Sequence, residues 1–171
     1  MASKEKNLSV PDIQIRPLDK VKIGIVTAAW NRDITQTLRD GCISELKKHG
    51  CADSDLISIE VPGAFELPVA AKILLSNHKL DAIICLGCVI KGETKHDEYI
   101  SNAVAGGIMT LSVMSGKPVI FGVLTPNDHQ QALDRAGGRH GNKGIEAAHT
   151  AISMIHLAAD VKNAEKQKIG F

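Results

Sequence analysis

The chain has 171 residues, 44% of them hydrophobic, which suits one domain with a substantial core. A formal net charge of +1 offers no basis for a nucleic-acid partner or a membrane surface. No apolar run reaches bilayer length, and Met1 to Asn7 lacks a hydrophobic signal core. A cytoplasmic protein whose four cysteines stay reduced is therefore expected.

Residues 1–20 are polar, carry Pro11 and Pro17, and read as an N-terminal arm outside the core, leaving 21–171 as a single domain. Ile13-Gln14-Ile15 alternates, so the arm is suited to adding a strand to a neighbouring sheet. Lys22 to Thr27 reads as the first core strand. Ile34, Leu38, Cys42 and Leu46 then recur at four-residue steps, the stripe of an amphipathic helix. Asn31 or Asp33 is placed to cap that helix and Gly50 to end it. Leu56 to Glu60 is the second strand, Val61 to Ala64 a turn, and Glu66 to Ser76 a helix. Pro68 falls in its first turn, where a missing N–H costs little. Ala82 to Gly87 is short, apolar and rich in branched residues, hence a buried strand.

Ile100, Val104, Ile108 and Leu111 mark a long helix that follows His96 and ends near Gly116. Pro118 to Leu124 is the fourth strand. Thr125 to Asp128 caps a short helix from about His129 to Ala136. Gly137 to Gly144 is a Gly-rich loop, and Ile145, Ala148, Ile152 and Ile155 define the last helix. Strands alternating with helices argue a parallel sheet covered on both faces. The economical topology is a flavodoxin-like three-layer α/β sandwich with a four-stranded sheet of order 2-1-3-4. Ligands in such sheets bind beyond the carboxyl ends of the strands.

The third strand leads into Lys91-Gly-Glu-Thr-Lys-His96, a loop that opens a helix. Backbone N–H groups and the positive helix end make such a loop an anion seat. Gly92 allows close approach, and His96 is a proton carrier near neutral pH. The pair points to chemistry on a small phosphorylated molecule. Trp30, taken alone, reads more readily as a plug holding its loop to the core than as a binding surface. Cys85-Leu-Gly-Cys88 has redox spacing, but an odd separation along a strand sends the two side chains to opposite faces. The seven histidines form no H-E-x-x-H pair, so no metal site is expected.

Several segments occur in order at ordinary spacing: Ala29-Trp-Asn31, Val61-Pro-Gly-Ala-Phe-Glu-Leu-Pro68, Leu86 to His96, Phe121-Gly-Val-Leu-Thr125, Gln131 to Gly137 and Gly141-Asn-Lys-Gly144. Together they resemble the 6,7-dimethyl-8-ribityllumazine synthase family over about Val21 to Ala159. The resemblance implies a cofactor-free condensation of 5-amino-6-(D-ribitylamino)uracil with 3,4-dihydroxy-2-butanone 4-phosphate, the penultimate step of riboflavin biosynthesis. It implies stacking of the pyrimidine on Trp30. Ala64, Phe65 and Glu66 would hold the ribityl chain and uracil, and Cys88, Val89 and Ile90 the pyrimidine edge, with Phe121 as a further wall. Glu93, Thr94 and Arg135 would contact the phosphate, Glu93 through its backbone N–H with its carboxylate turned away. His96 would transfer protons.

Asp97 departs from the aromatic that many members carry after the histidine. The resemblance further implies a site shared between subunits, with Phe121 and Arg135 supplied by the neighbour. The expected assembly is a homopentamer, extended to an icosahedral shell by the short Gly137–Gly144 segment. A flavin-binding electron carrier would need a hydroxyl-rich phosphate loop after the first strand, which Thr27-Ala-Ala-Trp30 does not provide. A shell protein without catalysis would have no use for the full set of Trp30, Glu66, His96 and Arg135.

Overall fold

In the computed structural model, which describes residues 15–169 with side chains to residue 164, the four apolar runs line up as one sheet. The strands are β1 (Ile23–Ala28), β2 (Leu56–Val61), β3 (Ala82–Cys88) and β4 (Val119–Leu124). They pair in parallel in the order β2-β1-β3-β4. Central β1 and β3 are buried at every position, because helices cover both faces. Edge strand β2 is only half-buried and carries Ser58 and Glu60 on its exposed positions.

The helices are α1 (Arg32–Lys48), α2 (Leu67–Asn77), α3 (His96–Ser115), α4 (His129–Arg135) and α5 (Lys143–Ile169). One core layer joins the sheet to Ile34, Leu38, Cys42 and Leu46 of α1 and to Ala148, Ala151 and Ile152 of α5. The other joins it to Leu67, Ala71 and Leu74 of α2 and to Val104 and Ile108 of α3. The result is the expected three-layer flavodoxin-like sandwich. Cys88 belongs to the first layer and Cys85 to the second, so the two thiols face away from each other across the sheet.

Local chemistry departs from the sequence expectations at several points. Asn31 does not cap α1 with its side chain. It takes a left-handed conformation, φ 55°, and its backbone carbonyl accepts from the N–H groups of Ile34 and Thr35. Asp33 instead accepts from His129 at 2.7 Å. Asp128 does cap α4, accepting from the Gln131 N–H at 2.8 Å.

The Gly-rich loop is a small hairpin of β5 (Ala136–Gly138) and β6 (Gly141–Asn142), and α5 starts two residues ahead of Ile145. Asn142 anchors this start. Its amide donates to the Thr37 carbonyl at 3.0 Å and accepts from the Gly144 N–H at 2.8 Å.

The arm is not wholly outside the core. Leu18 is buried and its N–H donates to the His49 carbonyl at 2.7 Å, while Arg16 pairs with Asp160 on α5 at 2.7 Å. Flanked by Pro17 and Asp19, Leu18 has no periodic neighbour to mark it as buried. Ile13 and Gln14 of the expected arm strand lie outside the described residues.

Candidate active site

The chain leaves the carboxyl ends of β1, β2 and β3 in three loops, and a cleft of about 700 Å³ opens between them. The first wall is Trp30 and Asn31. Trp30 is 74% exposed, so it is not a plug packed into the core. An indole left in water beside a cleft is a platform for a flat ligand. Its loop is pinned from both sides: the Ala29 N–H donates to the Val61 carbonyl at 2.8 Å, and the Asn31 amide donates to the Cys88 carbonyl at 3.0 Å.

The second wall runs from Pro62 to Glu66, ending in a 3-10 turn, Ala64–Glu66. Ala64 is buried under the turn and Phe65 projects outward, 56% exposed. Glu66 accepts from the Gly63 N–H at 2.9 Å through Oε2, which closes the turn and orients the carboxylate. The floor is Cys88, Val89 and Ile90, where β3 ends. Val89 donates its N–H to the Leu124 carbonyl at 2.8 Å, so the floor is tied to the end of β4. Burial, reinforced by Asp33, pushes the Cys88 thiol up to about 12. It stays protonated at neutral pH and serves as wall, not nucleophile.

The third wall is Gly92, Thr94, His96, Asp97 and Ile100. His96 is the first residue of the 20-residue α3, so the helix N-terminus, with its positive end of the backbone dipole, borders the cleft. Thr94 Oγ1 accepts from the His96 N–H at 3.4 Å, and Asp97 Oδ1 accepts from the Gly92 N–H at 3.4 Å.

Nine of the sequence-derived site residues thus share one cleft: Trp30, Ala64, Phe65, Glu66, Cys88, Val89, Ile90, Thr94 and His96. Glu93 sits between two lining residues with its side chain exposed. Phe121 and Arg135 lie elsewhere on the same chain. Phe121, on edge strand β4, borders a separate cavity of about 480 Å³ beside Met109, Ser112 and Lys143. Arg135, at the end of α4, contacts Glu146 at 2.8 Å and donates to the His140 carbonyl at 2.9 Å. Sequence reasoning gave Asn31 only a capping role and assigned no site role to Ile100. The adjacency of Asn31 to Trp30 was the available signal.

Residues 20–159 match the family described as 6,7-dimethyl-8-ribityllumazine synthase. The chain belongs to that family. Its similarity to the enzyme of that name from Cytophaga hutchinsonii is 50% identity over 155 residues, covering 91% of this chain and 98% of the relative. The Parabacteroides distasonis enzyme of the same name is 46% identical over 160 residues, 93% of this chain and 100% of the relative. A Flavobacterium psychrophilum relative, also so named, is 44% identical over 172 residues, 100% of this chain and 88% of its own length. Membership makes the chain an enzyme, a transferase of riboflavin biosynthesis. Asp97, the departure noted in the sequence, links the start of α3 back to the loop through its contact with the Gly92 N–H. Among the described residues, no helix is long and apolar enough to cross a membrane.

Proposed function

We propose that the protein condenses 5-amino-6-(D-ribitylamino)uracil with 3,4-dihydroxy-2-butanone 4-phosphate to 6,7-dimethyl-8-ribityllumazine, at the cleft between the β1, β2 and β3 loops. The observation that carries this reading is the meeting of a flat aromatic platform with a helix N-terminus bearing a histidine, in one concavity. Trp30 stacks the pyrimidine. The backbone around Ala64 and Phe65 and the Glu66 carboxylate take the ribityl hydroxyls and uracil edge. Gly92 to Thr94 and the start of α3 receive the phosphate.

The amine attacks the ketone and an imine forms with loss of water. Loss of the C3 proton then expels phosphate from C4, the resulting enol tautomerises to a C3 ketone, and the ribityl-bearing nitrogen closes the ring on that new carbonyl with loss of a second water. Each step moves protons, which His96 carries between the reacting atoms and solvent. Holding both substrates in one orientation supplies much of the acceleration. Mixing the two substrates while following lumazine absorbance and phosphate release tests the proposal. Matched release of both products is expected, and phosphate loss without lumazine would overturn it.

Replacing His96 by Asn is expected to slow turnover roughly ten- to hundredfold with little change in substrate affinity. Single-turnover rates across neutral pH check this, and unchanged rates would remove His96 from the chemistry. Trp30→Ala is expected to weaken pyrimidine binding by about 5- to 150-fold, the range for a lost base–aromatic stack. Because the indole is exposed, its thermal midpoint should stay within about 2 °C of the parent. Calorimetric titration and a melt read the two effects separately.

We further infer that the working unit is a homopentamer with shared sites, formed in the cytoplasm by a single domain, residues 21–171, with its N-terminal arm. In this reading Phe121 and Arg135 complete the neighbour's cleft. Their distance from their own cleft supports it, as do the exposed Tyr99, Met109, Val113 and Met114 on α3. Ala103, Ala105 and Gly106 are exposed along α3 and allow close helix approach, whereas Gly107 packs on Pro68 of α2 and is not available for it. The short β5–β6 hairpin favours further assembly into an icosahedral shell. Solution mass of the active enzyme separates these outcomes. A fully active monomer defeats site sharing, and an active isolated pentamer defeats only the shell.

A further inference from the structure

Behind the sheet, away from the cleft, the end of α1 meets the second turn of α5 at a polar cluster. Glu45 Oε1 contacts His149 Nε2 at 2.8 Å and His49 Nε2 at 3.0 Å. Glu45 and His149 are buried, and His49 is nearly so. Glu45 and His49 stand one turn apart on α1, and His149 comes from the facing helix 104 residues on from Glu45. The two rings are edge-on, with planes at 80° and centroids 5.8 Å apart, so their nitrogens approach the carboxylate from different directions. One donor atom from each residue lies within 4.8 Å of the other two. Among the described residues this is the one cluster of three such side chains.

We propose that Glu45, His49 and His149 form a binding site for a zinc-like divalent transition-metal ion that clips α1 to α5. Two imidazoles and a carboxylate with a fourth position for water are a three-ligand set that zinc accepts. The set is too rich in nitrogen for magnesium or calcium. Ligands around a tetrahedral zinc stand about 3.4 Å apart, given bonds of about 2.0–2.1 Å. From 2.8 and 3.0 Å, the two Glu–His separations need to open by roughly half an ångström, and the two imidazole nitrogens, within 4.8 Å of each other, to settle at the same spacing, as the protons shared with the carboxylate leave for solvent and the ion takes their place. Lys48, whose ammonium lies 3.4 Å from the same Glu45 oxygen, is mostly exposed and able to swing away.

Burial pushes the Glu45 carboxyl up, but hydrogen bonds from His149, His49 and Lys48 outweigh it and hold it below its usual range. The carboxylate is therefore ionised at neutral pH. None of the three residues lines the cleft, so the ion has no part in the condensation. The sequence gives no sign of the site, because one helix supplies only a Glu-x-x-x-His pair.

The test uses the untagged full chain, stripped with a chelator and titrated with cobalt(II). One ion per chain is expected, with the visible bands of a four-coordinate cobalt centre that zinc displaces. Zinc should also raise the thermal midpoint where magnesium does not. Separate His149→Gln and His49→Gln variants should each bind cobalt roughly 100-fold more weakly. His49, at the helix end, is the substitution that leaves the fold least disturbed. Absence of the bands, or bands of full strength in H49Q, would overturn the proposal, as would equal stabilisation by zinc and magnesium.

Discussion

Gly144→Ala is expected to lower stability by about 4 kcal/mol or more, above the roughly 1–3 kcal/mol that overpacking usually costs. For a chain of this size that is a fall in thermal midpoint on the order of 10 °C. The obstacle is contact with main chain. A methyl carbon at residue 144 would stand 1.8 Å from the Leu38 carbonyl oxygen and 2.7 Å from its carbon. A side-chain neighbour could rotate aside, but a helical carbonyl can retreat only if α1 and α5 part. That parting would also break the Asn142 bond to the Thr37 carbonyl of α1. Thermal or urea unfolding of the purified variant checks the figure. A midpoint within about 2 °C of the parent would mean that the two helices separate at little cost.

Replacing Arg135 by Gln is expected to raise KM for the phosphorylated ketone about 30- to 100-fold, the effect of losing charge-assisted bonds to phosphate. Pyrimidine affinity should change less than about threefold. The complication is structural. The guanidinium lies 2.8 Å from a buried oxygen of Glu146, an ion pair whose N–H points off the line of a good hydrogen bond. Lys143 reaches the other oxygen of Glu146 at 3.2 Å. R135Q alone therefore leaves part of a carboxylate uncompensated and should also lose stability. The double variant R135Q/E146Q removes that charge, so stability should largely return while the ketone defect persists. If the KM defect disappeared along with the stability defect, Arg135 would be a structural residue. Equal losses of pyrimidine and ketone affinity would likewise make its role structural.

The sheet was readable because β1 and β3 are continuous branched runs, a pattern that only strands covered on both faces need. The cleft followed from the topology, since loops leaving neighbouring parallel strands share one rim. Other features left no local mark. The left-handed Asn31 looks like an ordinary capping residue until its amide is seen to reach Cys88. The β5–β6 hairpin hides in Gly137-Gly-Arg-His-Gly141, which has no alternation to count. Glu45 looks like a surface acid of α1, and its burial depends on a histidine far along the chain. Trp30 by itself favours packing into the core, and only its neighbours in the family pattern point it to the substrate side, in keeping with its exposure.

The placement of the four cysteines equips the chain with internal reporters of its own opening. All are free and buried, and burial raises their thiols to about 11 for Cys51 and about 12 for the other three. A thiol-reactive dye should thus read exposure events and ignore the native surface. Cys42 and Cys51 watch the α1–α5 side of the sheet and Cys85 the α2–α3 side, while Cys88, on the cleft floor, responds to cleft access as well. Comparing their labelling rates in the unmodified protein would reveal whether the two halves of the sandwich come apart in one event or in succession.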